Sequence, residues 1–216
     1  MPELPEVLRK NPIQKRTRRT LDDIFEAAAQ LLQAGEGRGL NTNRIAERAG
    51  FSIGTLYSYF TDKTSLLRGM ALREFARQEE AFERMLAAHR DQGMEAIVRA
   101  AVHQGFTPFA GRHRVRRYLL RVLGGDPELQ QALHDMVSRM TARLIEAVGL
   151  QGGIPPARQY IVIRAALGPI RAAVMCDNDG IEMHELEDEL VRLMLFLLGP
   201  ERHRADHRLH AAARVD

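Results

Sequence analysis

The 216-residue chain contains no tryptophan, a single cysteine and only three lysines. One cysteine, Cys176, excludes an internal disulfide and any metal site or iron–sulfur cluster built from several cysteines of one chain, and it fits a reducing compartment. No stretch approaches the roughly 20 apolar residues that a membrane span requires, and residues 1–15 lack the apolar core of a signal peptide. The expectation is a soluble cytoplasmic protein with no membrane partner. The eight histidines include no His-Glu-x-x-His or comparable ligand set, so no metal and no cofactor is expected. Neither a nucleophile elbow nor a phosphate-binding glycine loop occurs, which argues against an enzyme.

The formal net charge is +3, and its placement says more than its size. Residues 1–68 hold 11 basic and 8 acidic side chains, whereas residues 69–216 hold 20 of each. All the excess positive charge lies in the N-terminal third, together with Lys10, Lys15 and Lys63. A basic head on a neutral body suits a polyanionic partner at one end only. At 45% hydrophobic residues the chain has enough apolar mass for one large core or two modest ones.

Residues 1–15 carry Pro2, Pro5 and Pro12 among charged residues and read as a basic arm. From Leu21, apolar residues recur at three- and four-residue steps through Ile24, Phe25, Ala28, Leu31 and Leu32, predicting a helix; Thr20 and Asp23 have capping-box spacing. Two short helices follow, the first capped by Asn41 or Thr42, the second by Ser52, with Gly50 between them. A longer helix runs from near Thr61 toward His89. The body then reads as helices throughout, broken at Gly93, Pro108, Gly124 and Gly125, opened again by Asp126 and Pro127, stopped at Gly149, and resumed after Pro155 and Pro156 with Pro169 in its interior. Residues 177–180 read as a turn, and the last helix ends at Gly199 and Pro200. The predicted organisation is all-α: an arm over 1–15, a three-helix helix-turn-helix domain over 16–66, a helical domain for ligand binding and dimerisation over 67–200, and a polar tail over 201–216 that reads as disordered.

The most informative run is residues 42–66, TNRIAERAGFSIGTLYSYFTDKTSL. Ile45, Ala46 and Ala49 give a short helix a small inward face, Gly50 permits a tight turn, and Ile53, Leu56 and Phe60 form the inward stripe of a second helix. Thr55, Tyr57, Ser58 and Tyr59 are left outward or toward the helix ends. Neighbouring tyrosines suit a phosphate backbone, where the hydroxyl donates a hydrogen bond and the ring packs on sugars and thymine methyls. Thr42, Ile45, Ala46, Ala49, Gly50, Ser52, Gly54, Thr55, Leu56, Tyr57, Tyr59, Phe60, Lys63 and Leu66 together resemble the DNA-binding domain of the TetR family of regulators, over residues 19–66. The resemblance implies a recognition helix beginning near Ser52, DNA contacts from Ile53, Gly54, Thr55, Tyr57, Tyr59 and Lys63, and further contacts from Thr42 and Asn43 of the preceding helix. Ile53 and Gly54 offer no hydrogen-bonding side chain, so thymine-methyl contact and DNA shape gain weight. Lys10, Lys15, Arg16, Arg18 and Arg19 are candidates for phosphate contact or a plain basic tail.

The same resemblance implies a repressor of double-stranded operator DNA, active as a homodimer through its last two helices and responsive to a small-molecule effector held in the body. Ile161, Ala165, Gly168 and Ala172 would permit close helix approach at the subunit interface, with Leu186, Leu190, Leu193 and Leu197 supplying apolar area. Candidate effector-lining residues are Met85, His103, Phe106, Phe109, His113, Tyr118, Met136 and Met140, which mix adaptable or aromatic bulk with a few polar groups. The basic run of Arg112, Arg114, Arg116, Arg117 and Arg121 reads as a solvated helix face or as a site for an acidic ligand. Two other readings compete. The opening MPELPEV resembles the start of formamidopyrimidine-DNA glycosylases, but over seven residues only and without their zinc-finger cysteines. A same-family protein of chromosome organisation or division control, with no effector, would share the head and lack an internal cavity.

Overall fold

Among the described residues, 15–107, 112–150, 153–176 and 180–199, the computed structural model of the chain contains nine α-helices and no strand. The expected polar tail, most of the arm, Pro108, Phe109 and most of the turn at 177–180 lie outside the described residues. Helix α1 spans Lys15–Gln33, so it begins ahead of Leu21, and Thr20 lies inside it instead of capping it. The reason is that its first turns consist of lysine, arginine and threonine: good to fair helix formers with no apolar period to reveal them. A 3-10 turn over Glu36–Gly39 leads to α2 (Thr42–Ala49) and α3 (Ile53–Tyr59). Helix α4 (Lys63–Ala88) is long enough to leave the head and enter the body.

Five further helices complete the body: α5 (Met94–Phe106), α6 (His113–Gly124), α7 (Pro127–Ala147), α8 (Pro156–Met175) and α9 (Met183–Leu198). Asp126 caps α7 by accepting from the Leu129 amide, and Pro127 occupies the first turn where no amide partner is lost. Among the described residues, no helix is long and apolar enough to cross a membrane.

The head is built around the apolar stripe of α1. Ile24, Phe25, Ala28 and Leu31 meet Ile45 and Ala46 of α2, Leu56 of α3, Phe60, and Leu66 of α4, all buried. The Phe25 and Phe60 rings stand 5.6 Å apart at 53°, a tilted arrangement that aromatic quadrupoles favour. Gly69 of α4 faces both rings: a Cβ there would lie 3.2 Å from Phe25 Cζ and 3.3 Å from Phe60 Cε1.

This core does not stop at residue 66. Met70 and Ala71 of α4, Val115 and Leu119 of α6 and Leu129 of α7 are buried in the same cluster. Two ionic clamps reinforce the junction. Arg112, immediately before α6, donates to both carboxylate oxygens of Glu26 in α1, at 2.9 and 2.8 Å. Arg68 near the start of α4 donates to Asp126 at 2.8 Å and to Glu128 at 2.7 Å. The hydrogen bond from Arg112 holds the Glu26 carboxyl below its ordinary pKa, against the opposing effect of partial burial.

A second core fills the far end of the body, with Phe82, Val98, Phe106, Ile145, Val162, Val191 and Leu198 among its members.

Candidate nucleic-acid interface and body cavity

The recognition unit is set by local hydrogen bonds. Asn41 caps α2 by accepting from the Arg44 amide at 3.0 Å. Gly50 closes it in the left-handed region, φ 74°, and donates back to Ala46 and Glu47 carbonyls, a conformation that a side chain would strain. Ser52 Oγ accepts from the Thr55 amide at 3.0 Å and lies 2.9 Å from the Thr55 hydroxyl. With Leu56 and Phe60 fully buried, α3 must turn its opposite face to solvent.

That face carries Tyr57, 43% exposed, and Ile53, which at 36% exposure departs from the expected inward stripe because the first residue of α3 lies beyond the packed contact made by Leu56 and Phe60; exposed Gly54 follows it. The Tyr57 hydroxyl lies 3.2 Å from Thr42 Oγ1 on α2, so the two short helices present one continuous polar edge, extended by exposed Asn43. Lys63, at the first position of α4, donates to the Leu40 carbonyl at 3.3 Å. Asp62 and Ser65 form a reciprocal capping box at the same helix end. Tyr59 departs from the expectation of two outward tyrosines. It is half-buried against the head core, because a residue two positions from Tyr57 lies about 200° around the helix. Exposed Arg44 and Arg48 of α2 add positive charge beside this edge.

The body contains a partly open cavity of about 240 Å³ whose wall draws on α4 through α9. Phe75 and Phe82, Val98 and Val102, Leu119 and Leu120, and Met136, Met140 and Met194 make it mainly apolar. Gln78, Gln104, Arg116, Thr141 and Arg171 supply the polar groups. Of the residues singled out from sequence, Met136 and Met140 line it. The other described candidates sit elsewhere. Phe106 is buried in the second core and Met85 packs at its edge. Tyr118 packs against the head core, and its ring lies close to Gly37. His103 is on the surface with Nδ1 2.9 Å from Glu187, and His113 is an exposed residue at the start of α6. The sequence could not separate these because an aromatic or methionine at helical spacing marks any apolar face, hollow or filled. Arg116 was hidden in a basic run of which it is the one buried member among the described residues.

The proposed subunit face also divides. Leu190 and Leu197 are buried within the chain, and Leu190 lines the cavity; Leu186 and Ala165 pack against the second core. These four are intrachain contacts, since α9 is apolar on two sides and a leucine stripe does not say which side faces the partner. Ile161, Gly168, Ala172 and Leu193 are exposed, and they are joined by two residues the sequence reading missed, Tyr160 at 53% and Phe196 at 65% exposure. The Arg164 guanidinium stacks on Tyr160, 3.4 Å from the ring centroid.

A helix-turn-helix head carried on a hollow all-helical body is an architecture shared with DNA-binding transcription regulators. Residues 24–70 match the model of the bacterial regulatory proteins of the tetR family, and the chain as a whole has the fold of TetR-family regulators. A regulator of that family from Mesorhizobium loti superposes with a TM-score of 0.64 at 20% identity, over 85% of this chain and 98% of that one. The FadR regulator of Bacillus subtilis, solved with stearoyl-CoA, gives 0.58 at 16% identity, over 80% and 96% of the two chains. LfrR of Mycobacterium smegmatis, solved with proflavine, gives 0.54 at 20% identity, over 85% and 97%. At these identities the likeness is one of fold. No curated protein matches the chain by sequence.

Proposed function

We propose that the chain is a dimeric, sequence-specific repressor that a small molecule in the body cavity releases from its operator. The observation that carries this reading is the cavity itself, because α4 and α6 both wall it and both reach into the head's core. A ligand that moves either helix moves the recognition unit. A same-family protein without an effector has no need of such a space, and two solved relatives of the same fold hold stearoyl-CoA and proflavine.

In this reading Ile53, Gly54 and Tyr57 meet the major groove, Thr42, Asn43, Ser52, Thr55, Tyr59 and Lys63 hold the backbone, and Lys63 exchanges its bond to the Leu40 carbonyl for a phosphate. One short recognition helix makes too few contacts for tight specific binding, so two heads are required, about 34 Å apart to enter successive major grooves. The exposed apolar face of Tyr160, Ile161, Leu193 and Phe196 pairs the subunits, with Gly168 and Ala172 allowing close approach. A shift of a few ångströms in head spacing then costs about 1 to 3 kcal/mol in operator affinity, enough for roughly 5- to 150-fold release.

Enrichment of duplexes from a random pool, with sedimentation of the wild type and of Phe196→Glu, tests the proposal. The expected result is a two-fold symmetric site bound by a wild-type dimer, and a folded Phe196→Glu monomer with weakened binding. No enriched duplex would sink the DNA reading, and an unchanged dimer in the variant would move the interface elsewhere.

A further inference from the structure

We infer, resting on the reading that the cavity is the effector site, that the effector is an amphipathic carboxylate: an apolar body with one anionic head, received by Arg116. Arg116 projects from α6 into the cavity wall and is 7% exposed. Its guanidinium donates to the Phe106 carbonyl at 3.1 Å and the Gly105 carbonyl at 2.8 Å, both at the C-terminal end of α5. These carbonyls carry partial negative charge but no full counter-charge. The surface arginines Arg99, Arg112, Arg139 and Arg143 each hold a carboxylate; among the described residues, none pairs a carboxylate with the deeply buried Arg116.

A buried cation without an anion is costly. Desolvation alone pulls the Arg116 pKa down to about 10, which leaves it charged at neutral pH and reflects a site that disfavours the charge in the absence of an anion. Among the described residues the cavity wall contains no aspartate or glutamate, while Arg171, itself exposed, adds a second positive group and Gln78, Gln104 and Thr141 add hydrogen-bonding capacity. An anionic head therefore meets attraction without repulsion, and two backbone carbonyl bonds leave further guanidinium N–H groups to meet a carboxylate. The rest of the wall, with its phenylalanines, methionines and leucines, suits an apolar tail. A cationic ligand would meet two like charges there.

Arg116 also lies one helical turn from Arg112, which clamps Glu26 in α1. An anion that draws the guanidinium off the α5 carbonyls pulls on the helix that holds the head.

Calorimetric titration of the full chain with decanoate, 1-decanol and decylammonium, each below its micelle concentration, tests the inference. Decanoate should bind at least about tenfold more tightly than 1-decanol, with decylammonium weakest. Arg116→Met should erase the advantage of decanoate while leaving 1-decanol within about threefold, and Arg116→Lys should keep part of it. On the wild type alone, equal or tighter binding of 1-decanol overturns the inference, however the variants fold. Absence of binding by all three probes overturns it as well. Val137→Trp, which fills the cavity from α7, should remove binding of every probe. Decanoate binding that survives Val137→Trp puts the site outside the cavity, and that outcome overturns the underlying reading as well as the anion assignment.

Discussion

The head and the body are both all-helical cores of similar composition, yet one is filled and the other is hollow. In the head, Ile24, Ala28, Ile45, Leu56, Phe60 and Leu66 are shielded almost completely, and small residues let helices cross closely around the Phe25–Phe60 pair. In the body, Met136, Met140, Met194, Phe75 and Phe82 surround about 240 Å³ of space. The difference teaches that packing follows the task. In the proposed function a reading edge must hold its side chains in one geometry, which dense packing enforces, whereas a body that receives an effector needs room and adaptable walls, which unbranched methionines provide.

The comparison breaks most visibly at Phe60. Truncation to alanine removes a fully buried ring from the head and is expected to cost about 3 to 5 kcal/mol, lowering the melting temperature by roughly 10 °C and abolishing operator binding. A calorimetric scan beside an anisotropy titration checks both.

A sharper form adds the same bulk to both regions. Ala28→Leu, at a fully buried head position, should destabilise by about 1 to 3 kcal/mol through overpacking. Ala101→Leu, on the cavity wall, should change stability by less than about 1 kcal/mol, because the added carbons enter empty space. Equal costs in chemical denaturation would mean that the body is not hollow in solution.

At the reading edge, Tyr57→Phe and Lys63→Ala should each weaken operator binding by about 1 kcal/mol without altering the melting temperature. Lys63→Ala should also reduce the slope of log affinity against log salt by about one. Wild-type affinity in both variants would remove them from the interface.

The smallest effect lies at the junction. Glu26 has a folded-state pKa below its ordinary 4.5, first because of its hydrogen bonds from Arg112. Its contribution is therefore present above the ordinary value and lost as pH falls through the lowered one. Both partners are partly exposed, so this contribution is under about 1 kcal/mol. The melting temperatures of wild type and Glu26→Gln should differ slightly at about pH 6 and converge in acid; a constant difference would assign the stabilisation to packing instead.

How much of this was legible in sequence follows the same division. In the head the caps, the turn and most of the packed contacts between Asn41 and Leu66 leave local signals, so Asn41, Gly50, Ser52 and the inward Leu56 and Phe60 could be read with their roles, whereas Ile53, expected on the same inward stripe, is exposed. Tyr59 escaped because its rank beside Tyr57 in the chain concealed its opposite direction. The start of α1 escaped because a helix without an apolar period leaves no trace. In the body, helix breaks were readable from Gly93, Asp126, Pro127 and Gly149, but the assignment of faces was not. Leu190 and Leu193 are alike in sequence, yet one lines the cavity and the other faces solvent. That choice depends on how six helices pack together, which no local pattern encodes.

Val115, Leu119 and Leu129 sit in the same core as α1 to α3, and this bears on how such proteins can be taken apart. A fragment cut after residue 66 would expose the surface those three side chains cover and would sever the Arg112–Glu26 clamp. The smallest unit able to melt cooperatively therefore includes the middle of the chain, and amide exchange in α1 should track that in α6. A chimera that grafts this head onto another helical body must carry α6 and the first turn of α7 with it, or rebuild their apolar footprint on the recipient.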